Sequence, residues 1–278
     1  MGSTTKDKGD NMGIAGRESV ILALETSSRV GSVALALDGR LWDEATFSAP
    51  LRHSAEILPT IARLLQRAGR SPDQLGHVYL SVGPGSFTGL RIAVTIAKTL
   101  HLAHRTRIVT VDALDVIAAN VDDAASGVLF QVAAQESSQI RRLATLLDAK
   151  RGQFFVSAYK RAGFEAPPAD DAGYAIPAGA GQVWRKTLPD CLMTAAAIGE
   201  RFANEANPIG LLGDGLLYHQ AKFQSPGVRI LDSALWSPRA ACVYLLGNQK
   251  ALAGRFSDPL TLVPFYLRGP QVRLKARP

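Results

Sequence analysis

The strongest constraint on what this chain can fold into is the run from His77 to Val111. "HVYLSV" reads as a strand of low charge, "GPGSFTG" as a glycine loop, the segment on to about His104 as an uninterrupted helix, and "RIVTV" as a second strand. A strand, loop, long helix and strand in that order pair the two strands in parallel, because the crossover helix returns the chain to the same end of the sheet. The centre of the protein is therefore α/β.

The loop has three readings. Gly83, Gly85 and Gly89 give G-x-G-x-x-x-G, one residue away from the dinucleotide fingerprint, and no Gly-Lys pair completes a phosphate-binding P-loop. Gly83, Pro84, Gly85, Ser86 and Thr88 could still bring backbone N–H groups and a helix N-terminus close to an anion or nucleotide. Alternatively, the glycines only permit a tight strand-to-helix connection. In the third reading the loop sets the start of a docking helix: Gly89, Ala93 and Ala97 recur every four residues and allow close approach of another helix. Spacing alone does not separate a partner helix from the protein's own core.

Three β-type runs, "SVILALE", "GSVALALD" and "LWDEATF", precede this unit and are joined by short polar turns, which predicts an antiparallel meander. From Ser54, Ile57, Leu58, Ile61, Leu64, Leu65 and Ala68 recur at helical spacing up to Gly69, with Pro59 predicting a kink or a later start. Asp112 is placed to cap a further helix through about Asn120. The chain then begins again: "LATLLDAKRGQFFVSAYK" echoes "VILALETSSRVGSVALAL", with Asp148, Arg151 and Gly152 answering Glu25, Arg29 and Gly31. Residues 161–190, rich in Ala, Pro, Gly and Asp, read as loop. "LLGDG" reads as a strand and turn, and "SPRAACVYLLGNQKALAG" as a helix with Ser237 as N-cap, Pro238 at its first position and Gly254 at its end. The expected organisation is a leader over 1–18, an N-terminal lobe over 19–122, a linker or insertion over 123–142, a C-terminal lobe over 143–267 and a basic tail over 268–278.

A net charge of +7 raises the question of nucleic acid, but the tail alone supplies Arg268, Arg273, Lys275 and Arg277 without an acid. The tail reads either as a solvated end or as an RNA-contacting arm. No apolar window is long enough to cross a bilayer and the first residues lack a signal-peptide core, so no membrane association is predicted and the cytoplasm is the expected compartment. Cys191 and Cys242 form no CxxC pair, and no disulfide framework or zinc knuckle is indicated. His53, His77 and His219 form no triad with a serine elbow, while His101 and His104, three apart on a helix, lack a third metal ligand.

The stretch "VGPGSFTGLRIAVTIAK" resembles the signature of the TsaB (YeaZ) family of bacterial tRNA threonylcarbamoyladenosine biosynthesis proteins. "ILALETSSRVGSVAL", "HSAEILPTIARLL", "VTVDALDVIA", "LLDAKRGQFFVSAY", "LLGDG" and "PFYLR" follow the family's order, so the resemblance spans about residues 20–267. It implies a two-lobed actin-like ATPase fold of the sugar kinase and Hsp70 type, with duplicated mixed-sheet lobes. It further implies a non-catalytic subunit that binds the paralogue TsaD, and TsaE through the assembly, so that TsaD can modify N6 of adenosine 37 in ANN-decoding tRNAs. tRNA would be the substrate of the complex, ATP or ADP would lie at a complex interface if it binds at all, and a homodimer of the isolated chain stays open. TsaD would dock in a four-helix arrangement on Ile57, Ile61, Leu64 and Leu65 of the first helix and Gly89, Ala93 and Ala97 of the second. Where TsaD carries metal-binding histidines, this chain has Asp112, Ala113 and Ile117, so no metal site is implied. Glu25 stands where related ATPases place an aspartate. An ATP-binding kinase or ATPase of the same fold, and a glycopeptidase-like hydrolase, remain the alternatives.

Overall fold

Strand β1 (Val20–Glu25) is apolar without alternation because both of its faces are covered. Val20, Leu22 and Leu24 join one buried cluster, and Ile21 and Ala23 join another. The computed structural model describes residues 20–50, 52–122, 140–163, 174–178, 181–203 and 207–267. The expected leader, the basic tail and residues 123–139 of the expected linker lie outside the described residues.

β1 pairs antiparallel with β2 (Ser32–Leu37), and β2 with β3 (Arg40–Thr46), as the meander predicts. Helix α1 (His53–Arg67) then leads to β4 (Leu75–Ser81), helix α2 (Phe87–His104) and β5 (Arg107–Val111). β4 is parallel to both β1 and β5, giving a sheet of order β3-β2-β1-β4-β5. α1 starts earlier than Pro59 suggested and keeps that proline inside it. Helix α3 (Ala113–Ala119) follows, capped by the Asp112 side chain, which accepts a hydrogen bond from Leu114 N at 2.8 Å.

The second sheet repeats the first. β6 (Arg142–Asp148) pairs antiparallel with β7 (Gln153–Gly163), and β7 with β9 (Gln182–Thr194). β10 (Ile209–Leu212) is parallel to β6 and to β11 (Val228–Ile230), while the short β8 (Ile176–Pro177) lies beyond β9. The order β11-β10-β6-β7-β9-β8 thus contains the arrangement of the first sheet, with β9, β7, β6, β10 and β11 in the places of β3, β2, β1, β4 and β5. Helices α4 (Ala195–Phe202) and α5 (Ala240–Leu252) complete the described elements longer than a single turn. The fold is the expected two-lobed actin-like α/β architecture with duplicated mixed sheets.

Three expectations need correction. Residues 161–190 are not all loop: β7 runs on to Gly163 and β9 covers 182–190, with Pro189 at a register shift in the β7–β9 ladder where no N–H is required. Composition hid this long hairpin, because its stability comes from cross-strand pairing rather than local preference. α5 begins at Ala240 and not at Pro238, because its first amides are capped from the other sheet. Ala240 N donates to Ser32 Oγ at 2.9 Å and Ala241 N to Glu44 Oε1 at 3.0 Å, while the Ser237 carbonyl accepts from Asn120. Finally, the span 143–267 does not pack as one lobe. α5 lies against the first sheet, where Tyr244 stacks on Tyr79, and the chain beyond it stays there through Ser257 N to Ile108 O at 2.8 Å and Phe265 N to Val82 O at 2.7 Å.

Candidate functional site

The glycine loop is held by backbone packing. A Cβ on Gly89 would sit 2.0 Å from the Thr26 carbonyl, and one on Gly85 would sit 2.4 Å from that of Ser27. Only glycine lets the start of α2 press so closely on the β1–β2 turn. The turn binds back: Ser86 N donates to Ser27 O at 2.7 Å, and Thr26 Oγ1 to Gly89 O at 2.8 Å. Ser86 caps α2 by accepting from Gly89 N at 3.3 Å. Two amides that a bound phosphate would use are therefore occupied within the chain.

Pro84, Gly85, Ser86 and Thr88 do line a cavity of about 370 Å³ between the lobes, together with Ser28, Arg29, Asp148, Lys150 and Asp214. Gly83 faces a different cavity. Glu25 does not reach the cleft: its Oε1 accepts from Ser27 N at 2.6 Å and Ser27 Oγ at 2.5 Å. Burial raises its pKa above the ordinary glutamate value. Burial likewise raises Asp214, which accepts from Ser28 Oγ at 2.5 Å. Asp148 is different: burial works against its charge, but hydrogen bonds from Lys150 outweigh it and leave the pKa lowered. Among the described residues no group of three His, Cys, Asp or Glu side chains is placed to hold a metal.

α1 and α2 lie side by side on the outer face of the first sheet. The docking residues inferred from sequence are buried beneath the two helices. Ile57, Ile61, Leu64, Leu65, Ala93 and Ala97 belong to the apolar cluster beneath them, and Gly89 is buried against Thr26. An apolar stripe at helical spacing marks burial but does not say against what. The outward face is nevertheless apolar. Leu58 is 60% exposed and Phe87 46%, and both line a groove of about 420 Å³ with Thr88, Arg91, Ile92, Thr95 and Ile96. Of the seven expected docking residues, Ile57 is the one that lines this groove. Sequence reasoning missed Phe87, Ile92 and Ile96. Their signal was present in α2, whose apolar residues at 92 and 96 fall off the Gly89-Ala93-Ala97 stripe and make a second apolar face.

Duplicated mixed sheets with an interlobe cleft, and an apolar helix pair on one lobe, define a protein of the actin-like ATPase class. Comparison with known proteins narrows this. The chain is 31% identical over 253 residues to the tRNA threonylcarbamoyladenosine biosynthesis protein TsaB of Escherichia coli (strain K12), covering 89% of this chain and 94% of the relative. It is 27% identical over 251 residues to the protein of the same name from Bacillus subtilis (strain 168), covering 89% and 93%. The chain belongs to the TsaB family. Residues 48–176 match the family model described as TsaD: tRNA N6-adenosine threonylcarbamoyltransferase. Among solved structures, YeaZ from Pseudomonas aeruginosa superposes with a TM-score of 0.65 at 24% identity, covering 90% of this chain and all of that one, which supports the fold.

Proposed function

We propose that this chain is the accessory subunit of a tRNA-modifying complex, binding a TsaD-type transferase and activating it to threonylcarbamoylate N6 of adenosine 37 in ANN-decoding tRNAs. The observation that carries the reading is the exposed apolar groove between α1 and α2, on a chain of the TsaB family. Apolar surface of this kind is costly to leave in water and marks a docking site. In this reading the chain contributes surface rather than chemistry: two of its loop amides are used internally and Glu25 is buried against its own turn. TsaE joins through the complex, tRNA is the substrate of the complex, and the setting is the cytoplasm. No helix of the described residues is long and apolar enough to cross a membrane.

The docking face is the outer one, centred on Leu58, Phe87, Ile92 and Ile96, and not the buried stripe. Leu58→Glu places a charge on a surface that is solvated in the free chain and dry in the complex. The variant is expected to melt like the wild type while its affinity for TsaD falls about a thousandfold, roughly 4 kcal/mol. Calorimetric titration with TsaD, beside a thermal melt, measures both. Wild-type affinity in Leu58→Glu would refute this docking face. ATP turnover by the pure chain, or a homodimer that closes the same groove in the presence of TsaD, would favour the other readings.

A further inference from the structure

A third cavity, of about 620 Å³, is distinct from the cleft beside Ser86 and from the helix groove. It lies where the end of β5 and the start of α3 meet β9 and α5, and its walls are largely apolar and aromatic, including Trp184, Tyr174, Val111 and Phe265. At one side stands a polar cluster drawn from both sheets. Lys186 Nζ lies 3.1 Å from Asp112, 2.8 Å from Asp115 and 2.8 Å from Asp190. The Tyr159 and Tyr174 hydroxyls each donate to Asp115 at 2.7 Å. One ammonium therefore serves three carboxyl groups, and burial together with the charge of Asp115 holds Asp112 well above the usual carboxylate range.

Two donors of residues that line the same cavity are not fully used, and only one of them is within reach of a ligand there. Trp184 is only 3% exposed, and its indole N–H, with no hydrogen-bond partner among the described residues, is itself buried, so the residue offers the cavity its ring rather than its donor. Lys250 gives one hydrogen bond, to the Thr110 carbonyl at 2.8 Å, out of the three that an ammonium can make. Its pKa is lowered, first by burial and then by Arg255, so its charge is under-compensated. The cavity thus presents an acid short of positive charge and an ammonium short of acceptors, both beside an apolar wall.

We propose that this cavity binds a zwitterionic small molecule with an apolar or aromatic body, such as a free α-amino acid, its carboxylate held by Lys250 and its ammonium by Asp112. The body of the ligand lies along Tyr174, Val111 and Phe265, in the usual division of a small-molecule site between apolar walls and a few polar anchors. Because Asp112 belongs to the first sheet's strand-to-helix turn and Trp184 to the second sheet, occupancy ties the two sheets together and raises the melting temperature.

The test is calorimetric titration of the full chain with L-phenylalanine and L-leucine, beside L-phenylalaninamide, which lacks the carboxylate, and N-acetyl-L-phenylalanine, which lacks the ammonium. The zwitterions are expected to bind saturably and each blocked derivative at least about tenfold more weakly. Lys250→Met should weaken L-phenylalanine about tenfold and leave the amide unchanged, and Asp112→Asn, which keeps a capping residue at the start of α3, should weaken L-phenylalanine and leave the N-acetyl form unchanged. Lys250→Gln, which keeps a donor for the Thr110 carbonyl but no charge, reads the carboxylate end if Lys250→Met melts early. No saturable binding of either zwitterion up to about 10 mM, equal binding of all four probes, or wild-type affinity in the variants would overturn the proposal.

Discussion

The two sheets share one strand plan but differ in what joins the strands. In the first, β3 reaches β4 through the 15-residue α1, and β4 reaches β5 through the 18-residue α2. In the second, the equivalent connections are the 8-residue α4 and, between β10 and β11, single turns of 3-10 helix. Two long parallel-lying helices produce an extended outer face; short connections do not. A duplicated scaffold thus leaves one lobe free to present an exposed apolar groove, while the other contributes the charged turn and the cavity wall. The paired hairpin turns differ in the same spirit. The β1–β2 turn is buried and closed by Glu25 and glycine packing, whereas the β6–β7 turn projects Lys150, Arg151 and Gly152, all at positive φ.

The comparison breaks most visibly at Ala97. This residue has no exposed surface and lies over the first sheet, so Ala97→Glu buries an unpaired charge in the lobe's own core. We expect a loss of roughly 4 kcal/mol or more, seen as a melting temperature lower by about 10 °C, with TsaD binding lost only as a consequence of unfolding. A variant that melts normally would show that the small-residue stripe is not the inner face.

A smaller effect separates the two turns. A Cβ on Gly31 would meet the Phe47 ring at 2.5 Å and the Glu25 carbonyl at 2.9 Å, whereas one on Gly152 would meet nothing within 4 Å. Gly31→Ala is expected to cost about 2 kcal/mol through crowding, and Gly152→Ala about 1 kcal/mol through its φ of +72°. Asparagine sharpens the contrast, since it tolerates the left-handed region: Gly152→Asn should recover stability relative to alanine, and Gly31→Asn should lose more. Chemical denaturation of the four variants decides, and the same ranking at both positions would remove the distinction.

The smallest difference is in pH dependence. Glu25 has a raised pKa, so its favourable contribution is complete below the unfolded value and is lost as pH rises through the folded one. Asp148 has a lowered pKa, so its contribution is present above the unfolded value and is lost as pH falls through the folded one. Relative to wild type, Glu25→Gln should therefore gain melting temperature as pH increases above the ordinary glutamate value, while Asp148→Asn should lose it as pH increases towards the ordinary aspartate value, over roughly pH 2 to 4. Parallel pH profiles for the two variants would contradict the assignment of opposite environments.

Local chemistry was legible before the fold was known. Apolar runs marked the strands of the first sheet, helical spacing marked α1 and α2, Asp112 marked the start of α3, and the echo of Glu25 to Gly31 in Asp148 to Gly152 marked the duplication. These depend on backbone preference, on side-chain periodicity and on short-range hydrogen bonds, all of which neighbouring residues dictate. Where an element met its counterpart was not written in that way. The stripe of Gly89, Ala93 and Ala97 is equally suited to a partner or to the protein's own sheet, and packing chose the sheet. α5 looked self-capped by Ser237, yet Ser32 and Glu44 from the other sheet cap it, and β9 exists because β7 offers it a ladder. The cavity at Lys250 depends on residues from β5, α3, β9 and α5 that are distant in sequence and individually ordinary. Sequence alone determined which segments could be strands and helices and to which family they belong; only tertiary packing decided which faces remained exposed, because burial is a property of two surfaces and each segment encodes one.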